Sequence, residues 1–193
     1  MPFILASSSP RRKELLGLIG ITPQIIIPEA DETKLPDETI EGFLQRVSIA
    51  KGEAVYKPEF YDIPVISSDT IVVCENRVIG KPSGRDEAYE FLKLLSNKKH
   101  EVLTGVCIRY RGQTTYEYER TEVVFSEISE EELGYYLDHE DYMDKAGAYA
   151  IQGKASVFIK RIDGCFFNVM GFPLNRFYNM LKKIGISLFP PLY

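Results

Sequence analysis

Phe3-Ile4-Leu5-Ala6-Ser7-Ser8-Ser9-Pro10-Arg11-Arg12-Lys13-Glu14-Leu15-Leu16 passes from an apolar strand, through a serine turn, into a helix that begins on three cations. Ser9 fits the N-cap, and Pro10 fits the first helical position, where a missing N–H costs nothing. Leu15, Leu16 and Ile19 keep helical spacing, and Gly20 is a stop signal. Arg11, Arg12 and Lys13 face the wrong end of the helix dipole, which favours anions at its start. Two readings follow: a solvated basic first turn, or a phosphate cradle built from a strand end, a serine turn and a cationic helix start.

The rest of the chain bounds what such a cradle can serve. Its 193 residues suffice for one domain with a sizeable core, or for one domain with two lobes. The net charge of −5 argues against stable nucleic-acid binding, so an anion site must be a local basic pocket in an acidic molecule. Cys74, Cys107 and Cys165 are far apart and form no CxxC pair, which suggests neither a disulfide framework nor a zinc site and fits a reducing cytoplasm. Met1-Pro2-Phe3 lacks a basic leader, and no apolar run approaches the ~18 residues of a membrane span.

A short strand, Gln24 to Ile27, leads into the acidic loop Pro28-Glu29-Ala30-Asp31-Glu32, which is either solvated or able to hold a hard cation through oxygen. Asp37 can cap a helix from Glu38 to Tyr56 with the stripe Ile40, Phe43, Leu44, Val47 and Ala54. At about 100° per residue Lys51 falls near the middle of that stripe. It either snorkels past the helix end or turns its ammonium into a pocket to meet an anion. Ile63 to Thr70 begins as a buried strand and turns polar at its carboxyl end, where Asp69 stands and where ligand sites of α/β sheets open. A hairpin of Ile71–Cys74 and Val78–Ile79 brings Lys81 back toward its base.

Asp86 to Leu95 is an amphipathic helix, and Glu101–Tyr110 with Thr114–Phe125 forms a second hairpin about Arg111-Gly112. Ser129-Glu130-Glu131-Glu132 is a capping box. His100 and His139 have no partners at metal spacing and read as structural or exposed. In Asp144 to Gly153, small residues let a backbone approach a ligand, and Gln152 suits a base edge with its paired donor and acceptor. The competing reading is a closely packed strand with an exposed Gln. Ala155–Ile162 and Phe166–Met170 read as a third hairpin about Asp163-Gly164. A last helix runs from Pro173 to Ile184, Gly185 ends it, and residues 186–193 form a tail.

Ala6-Ser-x-Ser-Pro-Arg-Arg-x-Glu-Leu-Leu16, Ser68-Asp69-Thr70, Gly80-Lys81-Pro82 and Asp144-Lys-Ala-Gly-Ala-Tyr-x-Ile-Gln-Gly153 stand in the order and spacing of the Maf family. The chain resembles these nucleoside triphosphate pyrophosphatases, also named septum formation inhibitors, over residues 1–185. The resemblance implies an inosine-triphosphatase-like α/β fold, with an elongated twisted mixed sheet flanked by helices and two lobes around a central cleft. It implies hydrolysis of a nucleoside triphosphate to monophosphate and pyrophosphate with Mg²⁺ or Mn²⁺, in a homodimer. Asp69 takes the place of the family's proton acceptor, and Arg11, Thr70 and Gln152 take those of the residues that set nucleotide choice. This set resembles the dTTP/UTP branch. Lys51 and Lys81 match family lysines, and Asp31-Glu32 the acidic pair, with Glu32 the metal candidate beside Asp69.

The residue inventory suits that chemistry. Ser7, Arg11, Arg12, Lys51 and Lys81 supply donors for phosphate, the arginines with bidentate geometry. Asp69 serves as general base beside a metal or as its ligand. Modified pyrimidine nucleotides are a second substrate reading, since a Gln152 contact to the O4/N3 edge tolerates substituents at C5. A septation regulator that binds a protein partner and uses the pocket as a sensor is a reading of another class.

Overall fold

The computed structural model describes residues 1–189, so Pro190–Tyr193 of the expected tail lie outside the described residues. The described residues are mixed α/β, with seven strands: β2-β1-β3-β5-β6-β7 in order and β4 paired to β3. The strands are β1 (Ile4–Ala6), β2 (Gln24–Ile26), β3 (Val65–Cys74), β4 (Arg77–Ile79), β5 (Lys99–Tyr110), β6 (Gln113–Phe125) and β7 (Ile159–Asp163). The helices are α1 (Pro10–Leu18), α2 (Ile40–Val55), α3 (Arg85–Leu95), α4 (Glu130–His139), α5 (Phe166–Val169) and α6 (Leu174–Lys183). The sheet is mixed: β1 pairs in parallel with both β2 and β3, while β3–β4 and β6–β7 are antiparallel. The chain divides into two compact units.

The first unit takes Met1–Asp69, Thr104–Glu119 and the chain from Gly171. Ile4, Ala6, Val55 and Val65 form a small core there with Ile26 and Phe60 packed against it. The buried isoleucine and valine side chains each contribute on the order of 1.5–3 kcal/mol. α1 starts at Pro10 and ends before Gly20 (φ +79°), as its two signals require. Ser9 occupies the N-cap position but caps nothing with its side chain. α2 begins two residues later than expected: Thr39, not Asp37, is its cap, its hydroxyl accepting from the Gly42 N–H at 3.0 Å. Asp37 is turned away into a left-handed conformation (φ +59°) in the preceding turn. α6 buries Leu174, Phe177, Met180 and Leu181 and ties its outer face to β6 through Arg176, which bonds Glu117 at 3.1 Å and Glu119 at 2.9 Å.

The second unit takes Thr70–Leu103 and Arg120–Met170. Its core includes Val72, Leu92, Leu95, Phe125, Tyr136 and Phe158. The β3–β4 hairpin turns on Glu75-Asn76, both at positive φ, the backbone a two-residue hairpin demands. Ser129 and Glu132 form the capping box of α4. The third expected hairpin does not exist. Residues 154–158 are 3₁₀, only Ile159–Asp163 is a strand, and Phe166–Val169 is helical. The reason is tertiary. Gly164 (φ +129°) passes so close to Thr121 that a Cβ would lie 2.9 Å from its hydroxyl. That hydroxyl accepts from the Cys165 N–H at 3.0 Å and the Asn168 amide at 2.9 Å. The chain is thereby bent into a helical turn, and β7 pairs with β6 instead.

Candidate active site

At the end of β1 the serine turn is closed by its own side chains. The Ser7 hydroxyl accepts from the Ser9 N–H at 3.1 Å and from Arg12 Nη1 at 3.2 Å. Arg12 Nε donates to the Gly171 carbonyl at 3.1 Å. Arg12 is 9% exposed, so the guanidinium is built into the turn rather than waving in solvent. Burial lowers its pKa, the Asp69 carboxylate opposes that, and Arg11 adds to it. An arginine remains charged under such pressure. Its positive charge therefore stands fixed beside Asp69, and Arg11, half-buried, lies one position before it.

The centre of the site is Lys51. It is 6% exposed, on the same face of α2 as Phe43, Leu44, Val47 and Val55. Its ammonium does not snorkel. Nζ donates to Asp69 Oδ1 at 2.7 Å and meets Glu32 Oε1 at 2.9 Å. Asp69 is 8% exposed, and the Glu32 side chain is half exposed. A buried ammonium held this way is neutralised by one buried and one wet carboxylate, which is what makes its burial tolerable.

Two small residues set that contact. A Cβ on Gly52 would lie 2.8 Å from the Ser67 hydroxyl, so α2 sits against β3 at a distance only glycine allows. Ser67 in turn donates to the Ser48 carbonyl of α2 at 2.6 Å. Strand and helix are thus pinned one step from Lys51 and two from Asp69. The sequence named neither residue, although a glycine inside a helix and a serine inside a buried strand were signals of close approach.

Asp69 is not at a strand end. β3 is continuous from Val65 to Cys74, and Asp69 lies at its middle. What ends is its neighbour: β1 pairs with β3 only through Ala6↔Ser67 and then leaves into the serine turn. Ser7, Arg12, Glu32, Lys51 and Asp69 thus gather in the first unit. Nearby in that unit the Tyr116 and Ser48 hydroxyls are buried without a hydrogen-bond partner among the described residues, around Gly105.

Thr70, Lys81 and Gln152 belong to the second unit. Thr70 is partly buried on β3, while Lys81 and Gln152 are exposed. The Gly147 N–H donates to the Gly80 carbonyl at 3.0 Å, which ties the Lys81 loop to the stretch that leads to Gln152. That stretch is no strand. Residues 146–148 form a 3₁₀ turn, with Gly147 and Ala148 at positive φ. Lys145 bonds Asp144 Oδ1 at 2.6 Å and the Asp141 carbonyl. His100 is structural, buried with Nε2 2.7 Å from the Tyr149 hydroxyl, and His139 is exposed.

Among the described residues no group of three or more His, Cys, Asp or Glu side chains is arranged for a metal. The Asp69 and Glu32 oxygens nevertheless converge on one cationic atom within 2.9 Å. One or two carboxylates suffice for a hard cation such as Mg²⁺ that completes its shell from water and substrate phosphates. The donor set fits a cation of that kind.

A family model described as Maf-like protein matches residues 2–184. A dTTP/UTP pyrophosphatase of Bacillus anthracis (strain CDC 684 / NRRL 3495) is 44% identical over 185 residues, 96% of either chain. One of Syntrophomonas wolfei is 44% identical over 186 residues, covering 95% of this chain and 98% of its own. The structure of the Staphylococcus aureus Ham1 protein superposes with a TM-score of 0.52 over 95% of this chain and all of its own, at 16% identity. That likeness supports the fold alone.

Proposed function

The chain belongs to the Maf family, and from that membership we propose that it hydrolyses dTTP and UTP between the α- and β-phosphates to monophosphate and pyrophosphate. The names of relatives 44% identical over nearly the whole chain support the activity and the substrates. The observation that carries the assignment to residues is the buried Lys51 held between Asp69 and Glu32, next to the Ser7–Arg12 turn.

In this reading Lys51 exchanges the Glu32 carboxylate for a phosphate oxygen when substrate enters, and Asp69, which stays beside it, accepts a proton from the attacking water. The water oxygen bonds to the α-phosphorus, the bond from that phosphorus to the α–β bridging oxygen breaks, and pyrophosphate leaves. Arg12 and Arg11 stabilise the developing charge, and positioning and electrostatics supply most of the rate. Asp69 and Glu32 would hold a divalent cation, which when bound supplies charge neutralisation on the phosphate oxygens. By family membership alone, Lys81 is assigned to phosphate binding, and Gln152, with Arg11 and Thr70, to nucleotide choice.

Among the described residues no helix is long and apolar enough to cross a membrane. The free cysteines support a cytoplasmic setting. The reading includes a homodimer. The deciding experiment incubates the protein with Mg²⁺ or Mn²⁺ and a panel of nucleoside triphosphates and measures pyrophosphate and monophosphate. Release with dTTP and UTP is expected, and no release with any nucleotide would sink the enzyme reading.

A further inference from the structure

Glu32 sits in a stretch with no regular structure between β2 and α2, and its side chain is half exposed. Something must hold it over Lys51. Asp31 Oδ1 accepts from the Thr33 N–H at 2.8 Å, which fixes the turn locally. The remaining ties run to one residue of α2. Arg46 Nη2 donates to the Thr33 carbonyl at 2.8 Å, and Nη1 approaches the Asp31 carbonyl at 3.5 Å. These are the carbonyls on either side of Glu32. The same guanidinium grips Glu38 with Nε at 2.7 Å and Nη2 at 3.0 Å. Glu38 accepts in turn from the Leu35 N–H at 3.1 Å. Both ends of the acidic loop therefore converge on Arg46.

Arg46 and Lys51 lie five residues apart on one helix, about 140° around it. The helix holds Glu32 at two points: the backbone at Arg46 and the carboxylate at Lys51. The second hold is lost whenever Lys51 turns to another anion. The first does not depend on Lys51 and persists as the ammonium turns.

We infer that Arg46 is a positioning residue that acts through Glu32, holding its carboxylate at the site while Lys51 exchanges partners. A lysine cannot replace it, because the fork serves a carboxylate and a backbone carbonyl at once. The inference rests on the proposed role of Glu32, and the test separates the two.

The test is a double-mutant cycle on the full chain with dTTP and Mg²⁺, with hydrogen–deuterium exchange of the loop as a second readout. Arg46→Ala should lower kcat/KM by about tenfold to a hundredfold, the range seen when a ligand's supporting partner is lost. Arg46→Lys should not restore it. In a Glu32→Ala background the same Arg46→Ala change should cost less than about twofold, as expected of residues acting through one group. The Thr33 and Leu35 amides should exchange faster in Arg46→Ala. An equal loss in both backgrounds, or unchanged exchange, overturns the inference. Impaired Glu32→Ala beside unimpaired Arg46→Ala overturns it alone, whereas wild-type turnover in Glu32→Ala overturns the role of Glu32 as well. Should Arg46→Ala fail to fold, Glu38→Gln weakens the same clamp, and its smaller loss must likewise vanish without Glu32.

Discussion

Replacing Lys51 by methionine keeps the apolar stem and removes the charge between Asp69 and Glu32. The cost follows from which carboxylate can escape. Breaking a buried pair by removing one partner costs about 3–5 kcal/mol, because the other charge is left uncompensated. Here Glu32 is half exposed and turns into water, while Asp69, 8% exposed, stays behind. Arg12 lies close enough to feel the Asp69 charge and offsets part of the loss. The expected destabilisation is thus at the low end, about 3 kcal/mol. For a chain this size that corresponds to a fall in Tm of about 6–12 °C. Asp69→Asn removes the other charge and leaves Lys51 with the exposed Glu32 only. The double variant Lys51→Met with Asp69→Asn buries no unpaired charge, so it should be clearly more stable than the two single costs together imply. Denaturant unfolding of the four proteins measures this, with m-values checked for two-state behaviour. Additivity within about 0.5 kcal/mol would refute the argument, because it would mean that the two groups do not interact. All three variants should lose turnover, Asp69→Asn by about a hundredfold to ten-thousandfold as expected for loss of a general base.

Burial holds the His100 imidazole neutral, with its pKa lowered from 6.5 to about 4. The unfolded chain takes up that proton first, so its contribution to stability is complete above pH 6.5 and is lost as the pH falls to about 4, by about 3 kcal/mol in all. Thermal melts across that window should show the loss in wild type and a flatter profile in His100→Gln; equal slopes would refute the assignment. Gly105→Ala places a Cβ 2.5 Å from the Ser48 hydroxyl and 2.9 Å from the Tyr116 ring, and should cost about 1–3 kcal/mol by overpacking. Unchanged unfolding would show that β5 has room there. Gln152→Ala should narrow the difference in kcat/KM between uracil or thymine nucleotides and the others, and unchanged ratios would remove Gln152 as the base reader.

How much of this was legible depended on whether the cause was local. Pro10 and Gly20 bracket α1 through their own backbone preferences, so both ends could be read. The burial of Lys51 followed from helical periodicity alone, because a period assigns a face without knowing what covers it. Its partners could not be read that way: Asp69 comes from another element, and Glu32 from a loop with no period. The placement of Asp69 at a strand end was wrong because what makes a strand end is the length of the neighbouring strand, here β1. The same holds for Asp163-Gly164, whose local hairpin signal is overridden by Thr121 gripping Cys165 and Asn168. Ser9 takes the N-cap position without a capping side-chain bond, its N–H donating to the Ser7 hydroxyl.

The charges explain why this site needs more than its cations. Arg12 and Lys51 are balanced by Asp69 and Glu32, so the buried cluster is close to neutral before any ligand arrives. A triphosphate brings several negative charges at neutral pH. Against a self-neutral cluster it gains little long-range attraction, and at close range it competes with carboxylates already well seated on Lys51. In the proposed reading Asp69 and Glu32 would hold a divalent cation, which would neutralise both carboxylates without adding negative charge and would leave the Lys51 ammonium to the phosphates. On this account the cation and the substrate must bind with positive coupling, and the coupling runs through the Lys51 ammonium. Isothermal titration with a non-hydrolysable triphosphate analogue should find each tightening the other in wild type. In Lys51→Met the exchange has no ammonium to release and that coupling should weaken; equal coupling in both proteins would place the exchange elsewhere.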